Sequence, residues 1–149
     1  MAESVCELPQ IIINDEEIVN LLTSSHTVAV VGLSDRPERD SYQVALYLKS
    51  QGYRIIPVNP NLTEALGEQA YASLADIPDS IAVDVVDIFR KPEYIPEVVD
   101  QAIARKVRGV WMQKGLVHNA AGQRARAAGL VVVMDRCMMV EHRRLIARQ

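Results

Sequence analysis

The stretch TVAVVGLSDRPERDSYQVALYLKSQGYRIIPVNP, Thr27 to Pro60, decides the reading of the fold. It opens with a run rich in β-branched residues and apolar at almost every position, the pattern of a strand buried on both faces. A loop with one glycine, Gly32, follows. Val44, Ala45 and Leu48 then recur at helical spacing, with Ser41 placed to cap the helix and Gly52 to close it. YRIIPVNP reads as a second strand. Pro57 has no N–H, so either this strand stops there or the proline sits where no ladder bond is needed. Strand, glycine loop, helix and strand in this order normally grip a nucleotide.

Working outward, residues 1–13 read as an irregular lead-in. NDEEIVNLL begins a helix, with Asn14 as cap, Glu17 three residues on as in a capping box, and an apolar face of Ile18, Leu21 and Leu22. Residues 1–26 thus precede a core over 27–149. After the second strand, NLTEALGEQAYASLADIPDSI is a loose connection with one helical turn near Ser73. AVDVVDIF is a third strand, and Pro92 stands at the mouth of a helix striped by Ile95, Val98, Val99, Ala102 and Ile103. GVWMQ is a fourth strand. A short helix with Ala121, Ala125 and Ala128 ends at Gly129, LVVVMD is a fifth strand, and the tail from Met138 closes as a helix. The alternation predicts an α/β domain: a Rossmann-like, doubly wound, five-stranded parallel sheet with helices on both faces. No repeat, linker or charge block divides the 149 residues, so one domain is expected.

Composition sets bounds. With 49% hydrophobic and 23% charged residues, the chain can build a core. A net charge of -3 argues against a general nucleic-acid binder, though not against a basic pocket for one phosphorylated ligand. MAESVCELPQ has no basic start or apolar stretch of a secretory signal, and no run approaches the ~20 apolar residues that span a membrane. A soluble, cytoplasmic protein is expected. Cys6 and Cys137 are too few and too far apart for a metal cluster or a disulfide framework.

Ligands of open α/β sheets sit at the carboxyl ends of the strands, where strand order reverses. Gly32 ends the first strand. The next helix offers open N–H groups to an anion, and Ser34, Arg36, Arg39 and Ser41 add donors. A full G-x-G-x-x-G would place glycines at 32, 34 and 37, but the chain has Gly32, Ser34 and Pro37. A plain connecting loop is the alternative; two arginines and two serines favour anion binding. NAD sites also place an acid near the end of the second strand, and here stand Val58, Asn59 and Pro60. An adenosine that bears a 3′-phosphate would be repelled by a carboxylate there. Coenzyme A carries that phosphate and a pyrophosphate.

On these residues the chain resembles the small single-domain CoA-binding proteins, the YccU-like family. VAVVGLS, SYQVALYLKSQGYRIIPVNP, DVVDIFRKPE, GVWMQKGLVHNAAG and GLVVVMDRCMMVEHRRL carry the resemblance, over about Thr27 to Leu145, and the pairing of PVNP with DRCMMVEH is its specific part. The resemblance implies a fold similar to the CoA-binding domain of succinyl-CoA synthetase and ADP-forming acyl-CoA synthetases. It implies that Gly32, Leu33 and Ser34 line the pyrophosphate, and that Asn59 and Pro60 sit by the nucleotide. Phe89, Arg90 and Lys91 would follow the third strand, and Gln113 and Lys114 would face the pantetheine. Leu33 departs from the small residue common at that place, and its bulk would reshape the loop.

Phe89 offers a ring face and Arg90 two parallel donors to phosphate; the alternative is a core phenylalanine beside a solvated arginine. Cys137, beside Arg136, is either a reactive thiol or a small buried hydrophobe. No His–acid pair can be tied to it, and a mixed disulfide with a CoA thiol would need proximity. His142 reads as structural, and His118 is not assigned the phosphorylated role that belongs to a later synthetase domain. Asp84, Asp87 and Asp135 are expected to cap helices or pair with Arg90 and Arg136. Trp111, Met138 and Met139 read as core. The leading expectation is a non-catalytic module for CoA or a short acyl-CoA, with no metal site. One alternative is an NAD(P)-dependent reductase in which Arg36 or Arg39 meets a 2′-phosphate. The other is a CoA-sensing regulatory protein whose terminal helices dock a partner or a second copy.

Overall fold

The computed structural model describes residues 7–147, so Cys6 lies outside the described residues. In chain order the helices are α1 (Asp15–Ser24), α2 (Asp40–Ser50), α3 (Ile95–Ala104), α4 (Asn119–Ala127) and α5 (Met138–His142). The strands are β1 (Thr27–Val31), β2 (Arg54–Val58), β3 (Glu64–Ala65), β4 (Glu68–Gln69), β5 (Val85–Ile88), β6 (Gly109–Met112) and β7 (Val131–Val133). Five strands form one parallel sheet in the order β2-β1-β5-β6-β7. Strand order therefore reverses between β1 and β5, and a crevice opens there at their carboxyl ends.

The sheet is buried on both sides because its strands are apolar at successive positions. Val28 and Val30 of β1 pack with Ile18 and Leu22 of α1, Val44 and Leu48 of α2, and Met138 of α5. Ala29 and Val31 face the other way, onto Ile95 and Val99 of α3 and Ala121 and Ala125 of α4. Pro57 resolves simply. β2 is an edge strand, and the Pro57 carbonyl accepts the Tyr71 N–H at 3.0 Å on the side away from β1. The amide and carbonyl of a strand residue point the same way, so the missing N–H falls on the outer edge and costs no ladder bond.

Several local expectations change. Asn14 Oδ1 accepts the Glu17 N–H at 2.8 Å, which is one half of the expected box. Ser41 is not the cap of α2: Arg39 holds that position without a side-chain cap bond, and Ser41 lies inside the first turn. The connection after β2 contains a hairpin, β3 with β4, besides the short 3-10 turn Leu74–Asp76. The closing helix is α for five residues only and continues as a wider π turn over Arg143–Ala147.

The predicted acid pairings also change. Asp84 accepts the N–H groups of His26 (2.8 Å) and Thr27 (3.0 Å) and meets Arg108 at 3.4 Å. Asp135 accepts the Gly115 N–H at 2.7 Å and lies 3.9 Å from Lys114. Arg136 pairs with Glu141 at 3.0 Å, and Arg90 lies over the Tyr94 ring, 4.3 Å from its centroid. Asp87 is fully buried beside Val30 and Trp111 in the sheet register, and neither of its oxygens has a hydrogen-bond partner among the described residues. Burial pushes its carboxyl well above the usual carboxylate range.

His142 is structural. Its Nδ1 is 2.8 Å from the Tyr47 hydroxyl, and the Tyr47 and Tyr53 rings meet it edge-on. Burial lowers its pKa, and burial raises that of Tyr53 to about 12. Among the described residues no helix is long and apolar enough to cross a membrane.

Candidate ligand-binding site

The β1–α2 loop is shaped by a close backbone approach. Gly32 has φ +90°, and a Cβ there would run into the Phe89 carbonyl oxygen and lie 3.1 Å from Cδ of Arg90. Only glycine satisfies both demands. The Gly32 N–H donates to the Val58 carbonyl at 2.8 Å, so the loop leaves the sheet in register. Beyond it the loop is laced internally. The Ser34 N–H donates to Ser41 Oγ (3.0 Å), and the Arg36 N–H donates to Ser34 Oγ (3.1 Å). Asn59 Nδ2 donates to the Leu33 carbonyl at 2.9 Å. Asn59 thus holds the loop from behind.

Leu33 does not crowd the loop. Its side chain is fully buried in the core with Val44 and Met138, so its bulk points away from the groove. A groove of about 400 Å3 remains above the loop, lined by Gly32, Ser34, Glu38, Arg39, Asp40, Ser41 and Phe89. With no side chain capping α2, its first-turn amides stay open as donors beside this groove. Glu38 and Asp40 oppose an anion there, and Arg39 favours one.

A larger cavity of about 510 Å3 adjoins the groove and shares Asp40 and Phe89 with it. Its apolar wall is Val44, Phe89, Pro92, Leu116, Cys137 and Met139. Its charged side chains are Arg90, Lys91 and Lys114 against the single acid Asp40, and Gln43 and Gln113 complete it. The volume lies in the range of small-molecule sites. Phe89 is half-buried, packing on the core while lining both spaces. Gln113 is 5% exposed, and its Oε1 accepts the Met138 N–H at 3.0 Å.

Five of the predicted residues therefore meet in the large cavity: Phe89, Arg90, Lys91, Gln113 and Lys114. Gly32, Ser34, Arg39 and Ser41 meet in the groove. The side chains of Leu33, Arg36, Asn59 and Pro60 line neither. Sequence reasoning missed Gln43, Val44, Leu116 and Met139, and it placed Met139 in the core. Gln43 and Val44 follow Ser41 on α2 and could have been read from the helix; Leu116 and Met139 come from segments that only the fold brings together. His118 caps α4, its Nδ1 accepting the Ala121 N–H at 3.1 Å.

The fold is a Rossmann-like α/β domain with two adjoining clefts at the carboxyl ends of its parallel strands. The chain belongs to the CoA binding domain family, whose model matches residues 26–143. It is 43% identical over 126 residues to the uncharacterized protein YneT of Bacillus subtilis, covering 85% of this chain and 92% of that one. A solved structure of a hypothetical protein from Pyrococcus horikoshii superposes with a TM-score of 0.87 at 42% identity, covering 94% of this chain and 97% of that one. The ADP-forming acetate--CoA ligase II of Archaeoglobus fulgidus is 31% identical over 85 residues. That match covers 56% of this chain but 12% of the ligase.

Proposed function

We propose that this protein binds coenzyme A or a short acyl-CoA and does not turn it over. The phosphates lie in the Gly32 groove, on the open amides of α2 with Arg39 and Arg90, and the pantetheine arm enters the adjoining apolar cavity. The observation that carries this reading is the continuity of the two spaces along Asp40 and Phe89, with Arg90 beside Phe89 in the larger one. An anion-binding loop and an apolar slot side by side match a ligand with a phosphorylated head and a long, mostly apolar arm. The neutral Asn59 at the end of β2, committed to Leu33 and Asn61, supplies no carboxylate for a free ribose diol. The relatives named as acetate--CoA ligases point to the same ligand.

Calorimetric titration with CoA, dephospho-CoA, NAD and NADP tests the reading. CoA is expected to bind tightest, and dephospho-CoA to bind more weakly through loss of the 3′-phosphate. Arg90→Ala is expected to cost CoA about 1.5–3 kcal/mol, the worth of a charge-assisted hydrogen bond. NADP binding more tightly than CoA would replace this reading with the reductase one.

A further inference from the structure

The structure points to Cys137 as a covalent capture site. We propose that the thiolate of Cys137 exchanges with the disulfide form of coenzyme A and retains CoA as a mixed disulfide in the large cavity. This rests on the CoA reading above.

Cys137 is unpaired, partly exposed and part of the cavity wall, opposite the strand ends that carry Phe89 and Gln113. The second observation is Gln113. It is nearly sealed from solvent, its Oε1 is taken by Met138, and its Nε2 has no partner among the described residues. That amide donor lines the same cavity and lacks an acceptor. A pantetheine arm carries amide carbonyls that supply one, and it ends in sulfur.

The thiol cannot drift away from a ligand held there. Asp135 N–H donates to the Leu116 carbonyl (3.1 Å), and Trp111 Nε1 donates to the Arg136 carbonyl (2.7 Å). The Met138 amide is held by Gln113, and the Cys137 carbonyl by the Glu141 N–H at 3.0 Å. The segment that carries the sulfur is pinned before and after it.

The chemistry balances without an outside oxidant. Cys137 gives its proton to solvent, and its thiolate attacks one sulfur of the ligand disulfide. A Cys137–S–S–CoA bond forms as the original S–S bond breaks. The second CoA leaves as a thiolate and takes a proton from solvent. Cys137 is oxidised and the departing CoA is reduced. Exchange with any small thiol reverses the step.

The test uses the whole protein, freed of reductant, with CoA disulfide and, separately, glutathione disulfide. Intact mass and peptide mapping follow the adduct, with Cys6 as the internal reference. The expected result is an adduct of one CoA less two hydrogens on Cys137, formed about tenfold or more faster than on Cys6 and than with glutathione disulfide. Dithiothreitol should remove it. Equal labelling by glutathione disulfide would reduce Cys137 to an ordinary thiol and overturn the inference. Calorimetry of the wild type with reduced CoA separates the remaining outcomes. CoA bound but no adduct on Cys137 overturns this inference alone; no CoA binding overturns the proposed function with it.

Discussion

Asp87→Asn should reverse part of the pH dependence of folding. Asp87 lies in β5 with no exposed surface, and both its oxygens lack a hydrogen-bond partner among the described residues. Desolvation therefore favours the neutral acid and raises its pKa in the fold. In the unfolded chain the same carboxyl ionises near its ordinary value of about 3.9. The folded state then binds more protons than the unfolded state, so stability is fully present below about pH 4 and falls as pH rises. The slope is about 1.4 kcal/mol per pH unit while the folded carboxyl keeps its proton. As pH rises above about 4 the wild type loses stability that Asp87→Asn does not lose, until the folded carboxyl ionises.

His142 acts in the opposite sense below about pH 6.5, because burial lowers its pKa and the unfolded chain takes the proton first. It is present in both proteins and cancels in their difference. The asparagine leaves a buried amide without a partner, an offset of about 1–3 kcal/mol that does not vary with pH. Urea unfolding of both proteins at pH 5, 6 and 7 measures the difference. Parallel curves would mean that the carboxyl is already ionised in the fold, and the reasoning from burial would be wrong.

Three further outcomes follow from particular contacts. Gly32→Ala should destabilise the fold by about 1–3 kcal/mol through its positive φ, with more from the Phe89 carbonyl, and should weaken CoA binding; urea midpoints and calorimetry report both. Glu38→Gln removes an exposed acid from the groove and should tighten CoA by up to about 1 kcal/mol at low salt, an effect that added salt erases. Burial works to raise the Asp84 pKa, but the N–H groups of Thr27 and His26 and the Arg108 guanidinium outweigh it and hold the carboxyl low. Its stabilisation is present above the ordinary carboxylate value and is lost as pH falls through the folded one. Asp84→Asn should therefore flatten acid unfolding below about pH 4.

The fold was legible because periodicity is a local property of a chain. Runs apolar at successive positions, such as TVAVV and RIIPV, announce strands covered on both sides, and stripes such as Ile95, Val98, Val99 and Ala102 announce the helices between them. Gly32 was legible for the same reason: a glycine directly after a buried strand marks a loop at the sheet's carboxyl edge. The hairpin of β3 and β4 was not, since strands of two residues carry no period.

Sequence alone therefore determined the layers, the parallel sheet and the glycine loop at the sheet's carboxyl edge. The tertiary structure decided which side chains share a space. Strand order sets Phe89 and Gln113 side by side and brings Cys137 against them. Burial turns Leu33 inward and leaves Asp87 sealed without a partner. Asn59 reaches Leu33 across 26 positions, and Gln113 reaches Met138 across 25. Such meetings depend on how distant segments compete for the same core, and a one-dimensional pattern holds no record of that competition.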